Sequence, residues 1–178
     1  MSNARLVIDA FTSEFRRSKS SPEKALAQIR DEEFYFKLNA GQCSILNYIR
    51  HMAGNMRSRW TDFLTTDGEK PDRNRDGEFE DLTLSRDQIL KIWNDGWGVV
   101  FATLETLSDA DLGKIVHIRN EPHTVALAIT RQVAHYAWHI GQIVLIAKHL
   151  VGARGGNWEY ITIAPGASRA FNDAKGMR

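Results

Sequence analysis

Apolar residues recur along this chain mostly at the three- and four-residue steps of a helix. Leu6, Val7, Ala10, Phe11 and Phe15 predict a first helix that starts near Ala4. Ser21-Pro22-Glu23-Lys24 has the form of an N-cap with proline in the first turn. The helix therefore either kinks there or gives way to a second one running through Ala25 to Ile29. Phe34 to Gln42 reads as irregular, with a turn signal at Asn39-Ala40-Gly41. A second helix runs from about Ser44 to Leu64, with Ile45, Ile49, Met52, Met56, Trp60, Phe63 and Leu64 as its buried stripe. Then comes a charged connection, Thr65 to Thr83, holding Gly68, Gly77 and Pro71. Connections of that length are often functional or mobile. A solvated loop is the default reading, with a lid or a dimer contact as the alternatives.

Ser85 caps a third helix that extends to about Leu107, with Ile89, Ile92, Trp93, Val100 and Leu104 on one side. Gly96 and Gly98 weaken that helix by roughly 1 kcal/mol each relative to alanine, unless they permit close packing. Lys114–Ile118 and His123–Val125 flank Asn120-Glu121-Pro122, a short hairpin or ordered loop. A fourth helix spans about Val125 to Val151 and is ended by Gly152. Residues 152–178 are expected to lie as an irregular tail on the bundle, with one strand-like stretch at Tyr160–Ile163. Four long amphipathic helices and little strand signal predict an all-α four-helix bundle, one domain over residues 1–178. The long connections admit crossover as well as up-and-down paths.

Composition narrows the function classes. A chain of 178 residues with 43% hydrophobic and 25% charged residues holds one core and is not disordered. The formal charge is +1, and acids interleave with bases, as in Arg73-Asn74-Arg75-Asp76-Gly77-Glu78. A nucleic-acid partner usually needs a basic stripe, so none is expected. Cys43 is the single cysteine, which rules out an intrachain disulfide and fits a reducing cytoplasm. It reads as a small buried residue rather than a nucleophile. Met1 to Ser20 lacks the apolar core of a signal peptide, and no later segment is apolar enough to cross a bilayer. The expectation is a cytoplasmic protein with no membrane partner.

The candidate chemistry lies in the histidines. His135 and His139 stand four apart on the fourth helix, so both imidazoles reach the same side. Gln132, His135, His139 and Gln142 make a polar seam among Val133, Ala137, Ile140, Ile143 and Val144. Such a seam is costly to bury unless something satisfies it, and a metal ion would. Tyr136-Ala137-Trp138 intervenes, so the zinc-protease pattern, with Glu directly after the first histidine, is absent. The pair alone favours a structural reading, as a surface pair or as core histidines bonded to backbone or water. His51, inside the second helix, changes the balance, because a bundle can converge a ligand from one helix with an i,i+4 pair from another. Three neutral imidazoles leave a position open, as in catalytic rather than closed sites. His117 and His123 belong to the hairpin region, and His149 to the last turn of the fourth helix, so all three are left out.

Asn47-Tyr48-Ile49-Arg50-His51-Met52-Ala53-Gly54-Asn55-Met56-Arg57, followed far downstream by His135-Tyr136-Ala137-Trp138-His139-Ile140-Gly141-Gln142, resembles the DinB/YfiT-like superfamily. The stretch Asn55 to Glu69 resembles an uncharacterised bacterial branch of it. The resemblance implies an up-down-down-up four-helix bundle with a metal between its helices, held by His51, His135 and His139. It also implies kinship with thiol-dependent transferases and isomerases that use low-molecular-weight thiols such as bacillithiol or mycothiol, and with homodimers. The superfamily name reflects regulation by DNA damage, not DNA binding.

The expectation is thus a metal-dependent transferase acting on a small thiol and a small electrophilic substrate. A divalent cation beside the sulfur favours the thiolate that attacks. Zinc or nickel is the expected ion, with iron as the alternative. Asn55 and Arg59 lie one and two turns beyond His51 and are candidate substrate-binding residues, against an ordinary solvated helix face. Gln132 and Gln142 are candidates for orienting the ligands or water from behind. Metal-assisted hydrolysis is the alternative enzyme, though no Glu or Asp beside the histidines offers a general base. A metal-stabilised binding module without activity is the alternative outside catalysis.

Overall fold

The computed structural model describes residues 5–177. Four long helices form the body: α1 (Leu6–Leu26), α2 (Ile45–Trp60), α3 (Arg86–Thr106) and α4 (Val125–Ala153). A two-stranded antiparallel hairpin, β1 (Ile115–Ile118) and β2 (Glu121–Thr124), precedes α4, and a short α5 (Ser168–Ala174) lies in the tail. Helix α2 packs along α3, and α1 along α4. Local chemistry sets the starts. Ser44, Ser85 and Thr124 each accept a hydrogen bond from a backbone N–H of the first turn, through Asn47, Gln88 and Leu127.

The core between the helices is rich in aromatic rings. Phe15, Trp60, Trp93, Trp97 and Tyr136 are fully buried. Phe15 meets Trp60 edge-on with ring centroids 5.4 Å apart, and Trp97 meets Tyr136 likewise at 5.6 Å. Gly96 lets α3 approach the backbone of α2 at Ala53, the close packing that its place in a helix requires.

Several elements differ from the sequence reading. The expected start near Ala4 lies outside the described residues, and no second helix begins at Pro22, because α1 runs through it to Leu26. The buried seam of α1 is Ile8, Phe15, Pro22, Ala25 and Leu26, whereas Leu6 and Val7 are exposed. Helix α2 stops at Trp60, where Asp62 takes a left-handed φ of 50°, and Phe63 reaches the core from the turn beyond. The hairpin turns at Arg119-Asn120, with φ of 56° and 62°, and Glu121-Pro122 sits in β2. Tyr160–Ile163 forms no strand. The tail is instead held to the end of α1 by Gln28, whose Nε2 donates to Glu159 O at 2.9 Å while its Oε1 accepts from Glu159 N at 2.8 Å. No described helix is long and apolar enough to cross a membrane.

The charged connection is ordered and structural. Gly68 N donates to His117 O at 2.8 Å, and a 3-10 turn at Asp76–Phe79 lies against α2. That turn brings Glu78 into the protein, where it is 8% exposed.

Candidate metal centre

His51 projects from the middle of α2, whereas His135 and His139 lie one turn apart on α4. The packing of α2 on α4 brings the three rings together. His51 Nε2 lies 3.4 Å from His135 Nε2, which lies 3.1 Å from His139 Nε2. One ring nitrogen from each falls within 4.8 Å of the other two. Nitrogens bound to one ion at about 2.05 Å and the tetrahedral angle stand about 3.3 Å apart. The observed spacings lie on either side of that value.

The outer nitrogens of two rings explain why their inner ones are bare. His51 Nδ1 is 2.9 Å from Glu78 Oε2, and His139 Nδ1 is 2.9 Å from Gln142 Oε1. Both partners are acceptors, so each Nδ1 carries its ring's proton and each Nε2 is left with a lone pair. Burial pushes the His135 imidazole down to about 3, helped by the neighbouring His139 and His51 and by Arg59 and Arg73. Burial also lowers His139, against the hydrogen bond to Gln142. These two imidazoles are therefore neutral at pH 7, the form that binds a cation. Two Nε2 lone pairs face His135 Nε2, and with His135 also protonated at Nδ1 the three nitrogens would present a ligand set to one cation, so the donor set fits a divalent metal.

Glu78 was not legible as part of this site. Burial opposes its charge, but hydrogen bonds with His51 and Arg73 outweigh that and hold its carboxyl below the ordinary range. Arg73 grips both oxygens, Nε on Oε1 and Nη2 on Oε2, each at 2.9 Å. Gly54 makes room: a Cβ there would sit 2.0 Å from Glu78 Oε1. The solvated loop expected over Thr65–Thr83 thus supplies the buried carboxylate behind His51. The absence of a carboxylate beside the histidines is corrected with it, although this one faces Nδ1, the side away from His135 and His139.

The remaining candidates fall into two groups. Gln142 orients His139, whereas Gln132 makes no hydrogen bond to any of the three histidines. Asn55 Oδ1 accepts from the Tyr136 hydroxyl at 3.2 Å, which in turn accepts from Trp60 Nε1 at 2.9 Å. Arg59 does not lie on a solvated face: it is buried, and its Nη1 donates to Gly68 O and to Glu69 Oε2. Asn55, Arg59 and Gln132 nevertheless meet, because all three line a cleft of about 330 Å³ whose wall includes His135. His123 is tied to Glu121 O and Arg131, and His149 stacks on Phe36, so neither joins the cluster. His117 is exposed on β1, away from it.

Comparison with known proteins gives the same frame. The sequence model of a family described as a protein of unknown function, DUF1572, matches residues 2–167. No curated protein matches. A crystal structure of a DinB-like protein from Bacillus cereus is similar at a TM-score of 0.59 with 18% identity, over 85% of this chain and 97% of that one. A conserved protein from Enterococcus faecalis is similar at a TM-score of 0.63 with 15% identity, over 82% and 98% of the two chains. At these identities the likeness is one of fold.

Proposed function

The chain belongs to the DUF1572 family, a DinB-like family, and on that premise we propose that it holds a divalent metal on His51, His135 and His139 and serves as a transferase for small thiols. The observation that carries this reading is the convergence of three Nε2 atoms, two of them left with lone pairs by acceptors behind the rings. When bound, a divalent ion lowers the pKa of a thiol beside it, supplying the thiolate that attacks an electrophile.

The chain's own residues define the rest. Glu78 and Gln142 hold the His51 and His139 rings in the ligating tautomer, and Arg73 keeps Glu78 ionised. The cleft beside His135 gives a small molecule access to that one of the three ligands, which a closed structural site would not need. Metal-assisted hydrolysis fits less well. It calls for a base facing the reacting water, and the buried carboxylate of the site is instead clamped between His51 Nδ1 and Arg73.

The test is metal content by mass spectrometry on untagged protein beside His51→Ala. About one ion per chain, largely lost in the variant, supports the ligand set, and thiol conjugation to a small electrophile then reads the activity. Absence of metal in both after incubation with zinc or nickel would overturn it.

A further inference from the structure

The cleft beside His135 has a wall that plays no part in holding a metal. Gln132 is 7% exposed, and its Oε1 has no hydrogen-bond partner among the described residues. Buried acceptors are nearly always paired, so this one marks a place where a donor belongs. Arg131 precedes it on α4 and lines the same cleft. The hydrogen bond of Arg131 runs from Nη1 to His123 Nε2, and no carboxylate of the described residues pairs with it. Arg59, on the facing helix α2, uses only Nη1 among the described residues, leaving Nε and Nη2 without a partner there. Its partner Glu69 is shared with Arg73 and Arg119, so Arg59 is not neutralised one to one. Trp138, 73% exposed, forms an apolar rim.

We propose that this cleft is a subsite for the non-reacting end of the ligand. Arg131 pairs with its carboxylate, the buried Gln132 amide rotates toward the cleft so that its Oε1 accepts an adjacent N–H, and Trp138 flanks the carbon chain. The sulfur end rests on the thiol reading above, whereas the subsite rests on Gln132 and Arg131. A planar guanidinium suits a carboxylate, and an unpaired amide oxygen selects for a donor next to it. The volume of the cleft, about 330 Å³, lies in the range of sites for small molecules.

Two thiols that differ only in a carboxylate separate the two claims: N-acetyl-L-cysteine and N-acetylcysteamine. Binding of each to the cobalt(II)-loaded protein is read from the sulfur-to-cobalt charge-transfer band. N-acetyl-L-cysteine is expected to bind about tenfold more tightly or better. Arg131→Gln should bring the ratio near one without changing N-acetylcysteamine. Gln132→Leu should weaken both by a similar factor, since both carry the N–H. Equal affinities in the native protein would overturn the subsite and leave thiol binding standing. If neither thiol produces the band, the thiol reading falls, and N-acetylglycine decides the subsite by calorimetry. Binding lost in Arg131→Gln upholds the subsite, and no difference between the two proteins removes it.

Discussion

Glu78 Oε2 lies 2.9 Å from Nδ1 of His51, so a residue of the long charged connection fixes the tautomer of an imidazole carried by a helix. The carboxylate would make the ring a better ligand and keep its Nε2 free. Glu78→Ala is therefore expected to cost about 10–100-fold in metal affinity, with the helical circular dichroism unchanged. Glu78→Gln, which keeps an acceptor but loses the charge, should lie between. Competition with a colorimetric zinc chelator measures both. Native affinity in the alanine variant would remove Glu78 from the site.

Gly54 gives a second, independent handle on the same contact. A Cβ there would come within 2.0 Å of Glu78 Oε1 and 2.7 Å of its Cδ. Alanine favours the helix itself by roughly 1 kcal/mol, so any loss in Gly54→Ala reports the displaced carboxylate. The variant should bind metal as weakly as Glu78→Ala while α2 stays helical. Combining the two substitutions should add little, because they break one contact. Additive losses would mean that Gly54 acts elsewhere.

The parts of this architecture legible in the sequence are those with a local cause. Ser44 and Ser85 announce helix starts through their own hydroxyls, and the i,i+4 spacing of His135 and His139 follows from one helix. Glu78 was hidden because its role depends on a 3-10 turn docked against α2, 27 positions from His51 in sequence. One signal was present: Gly54, one turn beyond His51 on a well-formed helix, is a costly residue that asks for a close neighbour. The solvated alternative for Arg59 fails for a related reason. Its face of α2 is polar in composition, yet Gly68 and Glu69 of the connection fold over it. The first helix shows the converse error, since counting apolar residues favoured Leu6 and Val7 although Ile8 faces the core.

Asp67 ties the connection to the hairpin and carries a pH dependence. Its Oδ1 accepts from Glu69 N at 2.7 Å and Arg119 N at 2.9 Å, and its Oδ2 from Asn120 N at 2.7 Å. Burial opposes the charge, but these amides and Arg59 outweigh it and hold the carboxyl below 3.8. A lowered carboxyl stabilises the folded chain above its unfolded value and loses that contribution as pH falls through the folded one. Asp67→Asn should thus be less stable than the native protein at neutral pH, with the gap in urea midpoints closing below pH 3.8. Faster amide exchange at Arg119 and Asn120 should accompany it. A gap that stays constant with pH would assign the loss to something other than the carboxylate charge.

Gly96 and Gly98 stand two apart on α3, and the same substitution should move them in opposite directions. A Cβ on Gly96 would lie 2.9 Å from Ala53 Cα, 3.0 Å from Met56 Sδ and 3.1 Å from Ala53 Cβ. The first of these is backbone, so α2 and α3 must separate to admit it, at about 1–3 kcal/mol. A Cβ on Gly98 meets nothing within 4 Å. There alanine only restricts the unfolded chain and favours the helix, a gain of about 0.5–1 kcal/mol. Urea unfolding of the two variants tests the contrast at fixed chemistry. Because α2 also carries His51, the Gly96→Ala separation should weaken metal binding as well, whereas Gly98→Ala should leave it untouched. If Gly96→Ala proves as stable as the native protein, the close approach of the two helices is not what requires glycine at that position.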